Sequence, residues 1–315
     1  MIKVENLKKS FTTGTFRKKQ VEVLKGVSFE IEAGETLGLV GESGCGKSTL
    51  AKIILRLLPL SSGKIFFEGK EITSLKTNEM QKIRSKMQLI LQHPEAALNP
   101  RMKIYDCIVE PLRIHGLVKK NSKEERAVVE ELIEVVGLQP EHLTRYPSEI
   151  SGGQAQRAVL ARILSLEPRL IVADEPTSML DVSVQAQILN LLKDVQKKFN
   201  MAYLFVSHDL EVVRWMSDRI AVMYRGDIVE MGRPEKVLEN PLHPYTKSLV
   251  ENIDNPLKQM KKRARREKAP TSALGGKEAV HCNYCTCCPN LHHGSASKPQ
   301  LQEVETGHYV ACWSI

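Results

Sequence analysis

Nine residues, Gly41-Glu42-Ser43-Gly44-Cys45-Gly46-Lys47-Ser48-Thr49, constrain this 315-residue chain more than any other stretch. They have the spacing G-x-x-x-x-G-K-[ST] and lie between an apolar run, Thr36-Leu37-Gly38-Leu39-Val40, and a segment with apolar residues at helical spacing, Leu50 to Leu58. That is the strand–loop–helix setting this motif requires, and the rest of the chain has to be built around it. The glycines let backbone N–H groups turn inward around an anion, and the following helix points its positive end at it. Lys47 is then expected to reach terminal phosphates, and the Ser48 hydroxyl to ligand Mg²⁺. The pattern predicts binding of a nucleoside triphosphate.

Composition narrows the class. With 42% hydrophobic and 26% charged residues the chain reads as an ordinary globular protein, long enough for one large domain plus an appendage or for two modest domains. No run approaches the ~18 apolar residues of a membrane span. The start, Met1-Ile2-Lys3-Val4-Glu5, lacks the apolar core of a signal peptide, so a cytoplasmic location is expected. The net charge of +8 invites a nucleic-acid reading, but residues 258–268 hold seven Lys and Arg against Glu267 alone. The basicity is one local tract, read as a solvated linker, and no nucleic-acid partner is expected. Cysteines are uneven too. Cys45 and Cys107 stand alone, whereas Cys282, Cys285, Cys287, Cys288 and Cys312 crowd the end. In a cytosolic chain such a cluster points to metal more than to disulfides.

Along the chain, residues 1–40 read as antiparallel strands broken at Gly14, Gly26 and Gly34. Met87 to Leu91 reads as a buried strand ending at Gln92. From about 93 to 155 the pattern turns helical, most clearly from Glu124 to Gly137. Short all-apolar strands then alternate with amphipathic helices: Leu170 to Ala173, Val184 to Phe199, Ala202 to Val206. This predicts a parallel α/β core, covered on both faces and interrupted by a helical insertion. Residues 251–280 read as a basic linker and 281–315 as a Cys-rich extension.

Two further motifs carry chemistry. Leu170-Ile171-Val172-Ala173-Asp174-Glu175 is an apolar strand ending in two carboxylates. Beside a phosphate loop, Asp174 suits a magnesium anchor and Glu175 a general base for an attacking water; without one, the pair reads as a surface turn. Ser151-Gly152-Gly153-Gln154 opens a helix, either as a second phosphate site or as a plain capped start.

Taken with their order and spacing, these motifs resemble those of ATP-binding cassette (ABC) ATPases over residues 1 to about 250. The resemblance implies a P-loop NTPase core (RecA-like, parallel sheet) with an antiparallel β subdomain, a helical subdomain insertion and, here, the small C-terminal extension. It places Phe11, or alternatively Phe16, against adenine. It makes Gln92 a contact to Mg²⁺ and the attacking water, Asp181 part of a loop at the nucleotide, and His208 a contact to the γ-phosphate. It implies a head-to-tail dimer, identical or homologous, in which Ser151-Gly152-Gly153 covers the ATP of the partner.

The segments Gln92 to Met102 and Asn240-Pro241-Leu242-His243-Pro244-Tyr245-Thr246-Lys247 are similar to those of the dipeptide, oligopeptide and nickel importer ATPases. An energy-coupling subunit docked on two membrane permeases, served indirectly by a solute-binding protein, is the implied function, placing the chain on the inner face of the membrane. A soluble ABC ATPase that remodels a macromolecule or assembles a metalloenzyme is the alternative. Some members of the importer group carry an iron–sulfur cluster on four spaced cysteines. A [4Fe–4S] cluster on four of the five C-terminal cysteines is therefore the first expectation and Zn²⁺ the second, with His281, His292, His293 and His308 available to a zinc site.

Overall fold

In a computed structural model, which describes residues 1–13, 19–251 and 299–312, the alternating N-terminal runs and the short apolar runs form separate sheets. Strands β1 (Ile2–Thr13) and β2 (Lys19–Ile31), β4 (Ser62–Phe67) and β5 (Lys70–Glu71) make an antiparallel sheet in the order β2-β1-β4-β5. The larger sheet contains β3 (Thr36–Val40), β6 (Met87–Ile90), β7 (Leu170–Asp174), β8 (Ala202–Val206), β9 (Arg219–Tyr224), β10 (Asp227–Gly232), β11 (Gln302–Glu305) and β12 (His308–Val310). Its order is β11-β12-β10-β9-β3-β8-β7-β6. The five strands from β9 to β6 run parallel, and the remaining three pair antiparallel.

The period of two sorts the core. On β8, Ala202, Leu204 and Val206 face one apolar cluster while Tyr203 and Phe205 face another, and all five are fully buried. The first cluster is closed by helices α1 (Lys47–Ile54) and α2 (Thr77–Arg84) and the antiparallel sheet. The second is closed by α6 (Val182–Phe199) and α7 (Leu210–Met216) and continues without a break into the helical insertion. Each fully buried large apolar side chain contributes about 1.5–3 kcal/mol.

The insertion comprises α3 (Ile104–Ile114), α4 (Lys123–Val136) and the start of α5 (Gly152–Leu164). The signals read in the sequence account for α4. The Ser122 hydroxyl accepts the Glu125 N–H at 3.1 Å, Val129, Leu132, Ile133 and Val136 are buried, and Gly137 ends the helix at φ 66°.

Two features differ from the sequence reading. Gly26 does not break a strand but lies inside β2, at φ 108°, where a Cβ would sit 2.6 Å from Asn6 Oδ1. The pairing with β1 slips at this point, so the glycine marks a bulge. Residues 302–310, assigned by sequence to a separate extension, instead add two strands to the edge of the core sheet beside β10. Among the described residues no helix is long and apolar enough to cross a membrane.

Candidate active site

The parallel strands all end on one edge of the sheet, where the phosphate loop, Gln92, the Asp174–Glu175 pair and His208 sit at the ends of β3, β6, β7 and β8. After β3 the chain turns at Gly41, where a Cβ would lie 2.2 Å from the carbonyl oxygen of Met223 on β9. Only glycine fits that approach. Gly46 precedes α1 at φ 113°, again a glycine conformation. The residues between fold around their own lysine: buried Lys47 donates from Nζ to the carbonyls of Gly41 (2.7 Å) and Glu42 (3.1 Å). Glu42, Ser43, Gly44 and Ser48 are exposed, and Thr49 half-buried. The Cys45 side chain turns into the core beneath the loop, and its N–H donates to the Glu42 carbonyl at 3.3 Å. Burial, against the nearby Lys47 charge, pushes this thiol's pKa up. Cys45 is a packing residue at its side chain and a loop residue only at its backbone.

The two carboxylates of the acidic pair make different contacts. Asp174, the last residue of β7, accepts the Ser48 hydroxyl at 3.3 Å. Burial first, then the adjacent Glu175 charge, push the Asp174 carboxyl up; its charge is met only in part by the Ser48 hydroxyl and the fields of Lys52 and Lys47. Glu175 adopts φ 51°, a left-handed backbone rare for a non-glycine residue. Its N–H donates to Val206 O at 2.9 Å, which ties it to the neighbouring strand end. In consequence its carboxylate lies between two motifs: one oxygen accepts Gln92 Nε2 at 3.2 Å, the other is 3.2 Å from His208 Nδ1. Residues 83 positions apart on one side and 33 on the other thus converge on one carboxylate.

The remaining candidates make their contacts with other residues. Ser151 caps α5 through a reciprocal pair, its Oγ accepting Gln154 N–H at 3.3 Å and its N–H donating to Gln154 Oε1 at 2.9 Å. Gly153 is small because Val184 of α6 packs on it, a Cβ there lying 2.5 Å from Val184 Cγ1. Gly152 approaches Leu180, and Gln154 Nε2 lies 3.0 Å from His142 Nε2; the phosphate loop supplies none of these contacts. Asp181 caps α6, accepting Val184 N–H at 3.0 Å and the Ser183 hydroxyl at 2.9 Å, and these bonds hold its carboxyl below the usual range. Phe11 is half-buried on β1 with Lys9 Nζ 4.8 Å from its ring centre. Phe16, Cys282, Cys285, Cys287 and Cys288 lie outside the described residues, and Cys312 is half-buried just after β12.

Sequence reasoning missed one contact of the loop. Tyr245, read only as part of a subfamily signature, places its hydroxyl 2.9 Å from the N–H of Glu42. No local spacing could have signalled a contact across 203 positions.

Comparison with known proteins identifies the family of this chain. Residues 24–178 match the family model described as ABC transporter, and residues 229–294 match that of the oligopeptide/dipeptide transporter C-terminal region. The oligopeptide transport ATP-binding protein OppF of Bacillus subtilis is 44% identical, covering 99% of this chain and 96% of its own length. The dipeptide transport ATP-binding protein DppF of Lactococcus lactis is 46% identical over 98% of this chain and 93% of its own. Among solved structures, a dimeric post-hydrolysis state of the ATP-binding cassette MJ0796, bound to ADP and Pi, superposes with a TM-score of 0.67 at 28% identity, covering 74% of this chain and 99% of that one. The chain belongs to the ABC transporter ATP-binding proteins, in the group that carries the oligopeptide/dipeptide transporter C-terminal region.

Proposed function

We propose that this chain hydrolyses Mg-ATP as one half of a cassette dimer and thereby powers import of peptides or a similar small solute. The observation that carries the reading is the Glu175 carboxylate held between Gln92 and His208 beside the Ser48–Asp174 pair. The loop amides and Lys47 bind the phosphates. Ser48, Asp174 and the Gln92 amide oxygen form an oxygen-donor set that suits Mg²⁺, and the partly compensated, buried Asp174 carboxyl is the environment a divalent cation completes. Bound there, Mg²⁺ would neutralise charge on the phosphate oxygens. Glu175 takes a proton from water as that oxygen bonds to the γ-phosphorus and the bond to the β-phosphate oxygen breaks, giving ADP and phosphate. Phe11 is assigned to the adenine, and His208 to orienting Glu175 and the γ-phosphate.

The Ser151–Gln154 helix start, exposed at Ser151 and Gly152, and the Asp181 loop are assigned to the nucleotide of a partner cassette. The dimeric state of the MJ0796 cassette supports that assignment. The transport names of the relatives favour an importer over a soluble remodelling ATPase. In that role the chain works at the cytoplasmic face of the membrane, docked on two permeases, and receives solute only through them and a solute-binding protein. Purification from native membranes in mild detergent should yield two polytopic subunits with the chain, and ATPase activity that Lys47→Ala abolishes. Recovery of the chain with soluble partners alone would overturn the importer reading.

The metal reading of Cys282, Cys285, Cys287, Cys288 and Cys312 rests on their sequence pattern, four of the five lying outside the described residues. Anaerobically purified protein should contain iron and sulfide with broad absorption near ~400 nm, or else one colourless zinc. Elemental analysis with neither metal would end this part of the proposal.

A further inference from the structure

Tyr245 stands at the start of α9 (Pro244–Glu251), which follows α8 (Pro234–Glu239), far from the phosphate loop in sequence. Its hydroxyl accepts the Glu42 N–H at 2.9 Å. That N–H belongs to the same peptide unit as the Gly41 carbonyl, which accepts Lys47 Nζ at 2.7 Å. Both polar ends of the Gly41–Glu42 peptide are therefore held, one by the loop's lysine and one by Tyr245. Turning this peptide over would break both bonds.

Tyr245 is itself held from two sides. Its ring lies on that of Tyr224, with centroids 4.2 Å apart, and Tyr224 follows the Met223 whose carbonyl crowds Gly41. Its N–H donates to His243 Nδ1 at 3.1 Å. Burial lowers the pKa of His243 to about 4, which leaves that ring neutral near pH 7 with a lone pair to accept. The turn preceding Tyr245 hangs on one carboxylate: Leu242 N–H and His243 N–H donate to Glu230 at 2.8 and 2.9 Å. The same Glu230 meets His308 Nε2 at 2.8 Å, and Glu230, His243 and His308 are all fully buried. His308 lies on β12, paired with Gly232 of β10. A phenol used only for packing would not need its oxygen aimed at a loop amide, nor would a turn need a buried carboxylate shared with a distant strand.

We propose that Tyr245 is a positioning residue of the phosphate loop, fixing the Gly41–Glu42 peptide, and that His308 of the C-terminal hairpin holds Tyr245 in place through Glu230. The inference rests on the nucleotide reading of the loop. It makes the C-terminal strand a determinant of ATP affinity, because a loop already fixed loses less freedom when phosphates bind. One neutral hydrogen bond of this kind is worth roughly a three- to tenfold change in affinity.

The test uses the full chain. Tyr245→Phe removes one oxygen and keeps the ring. Its Mg-ATP dissociation constant should rise about three- to tenfold, its kcat at saturating ATP should stay within about twofold, and amide exchange in the nucleotide-free loop around Glu42 should quicken. His308→Ala should shift affinity and loop exchange in the same direction. His308→Gln, which can place an N–H near the lost Nε2, should restore both. A packing role alone would lower the melting temperature and leave loop exchange and affinity unmoved. Wild-type affinity and wild-type exchange in Tyr245→Phe overturn the positioning role, and the same result in His308→Ala overturns the step through Glu230. Wild-type protein whose ATP binding is indifferent to Lys47→Ala would instead remove the nucleotide reading beneath both.

Discussion

Glu175→Gln is expected to keep Mg-ATP binding and to lose nearly all turnover, at least about a hundredfold in kcat. The amide has the shape of the carboxylate and can still bond Gln92 and His208, which now meet Glu175 at 3.2 Å each. It also suits the left-handed backbone at φ 51° as well as glutamate does. What it cannot do is accept a proton from the attacking water. Binding should hold or tighten on electrostatic grounds. The Glu175 charge is one of the causes that push the Asp174 carboxyl up. Removing that charge makes Asp174 easier to ionise and a better cation ligand. If hydrolysis is what reopens the dimer, ATP-loaded Glu175→Gln should also elute as a dimer where wild type does not. The decisive measurements are single-turnover hydrolysis and the Mg-ATP dissociation constant. Turnover within tenfold of wild type would remove Glu175 as the base.

The nucleotide edge of this fold was legible because each of its parts is a local signal. A phosphate loop needs a strand before it, glycines within it and a helix after it, and residues 36–58 show all three in one stretch. Asp174, Gln92 and His208 each follow an apolar strand closely enough to be assigned to its end. Convergence of the strand ends then follows from parallel pairing. Illegible features depend on contacts between distant segments. Gly26 looked like a break because a bulge and a turn both call for a left-handed residue, and only the register against β1 separates them. The side-chain direction of Cys45 is set by the strands beneath the loop, not by the motif. The Glu230–His308 pair joins positions 78 apart; the sequence offers His308 to a zinc site and gives no sign of Glu230 as its partner. The same holds for β12, whose three residues form a strand only because β10 offers an edge.

Arg113→Met is expected to cost about 3–5 kcal/mol of stability, because it strands a buried charge. Glu125, in the first turn of α4, is fully buried. Its carboxylate accepts Arg113 Nε and Nη2 at 2.8 Å each, with the Tyr105 hydroxyl at 2.9 Å and Asn121 N–H at 3.3 Å as further donors. The Arg113 fork, aided by Tyr105, holds this carboxyl well below its ordinary 4.5, at about 2, against the effect of burial. The lowered pKa fixes the sign of the pH dependence in wild type. The pair's contribution is fully present above about pH 4.5 and is lost as pH falls through about 2. Without Arg113 burial prevails, the Glu125 pKa rises above its unfolded value, and the sign reverses. The contribution of the group is then retained below pH 4.5 and lost as pH rises. The stability deficit of the variant should therefore be greatest near neutral pH and shrink towards pH 5, as read by urea denaturation at both values. Arg113→Met/Glu125→Gln should recover part of the loss at pH 7, since glutamine keeps partners for Tyr105 and Asn121 and carries no charge. A single variant within about 1 kcal/mol of wild type at both pH values would mean that Glu125 reaches water once its partner is gone. Because the pair joins α3 to α4 and touches no residue of the phosphate loop, Mg-ATP affinity well below the melting temperature should be unchanged. Loss of affinity in parallel with stability would show instead that the helical insertion and the loop fold as one unit.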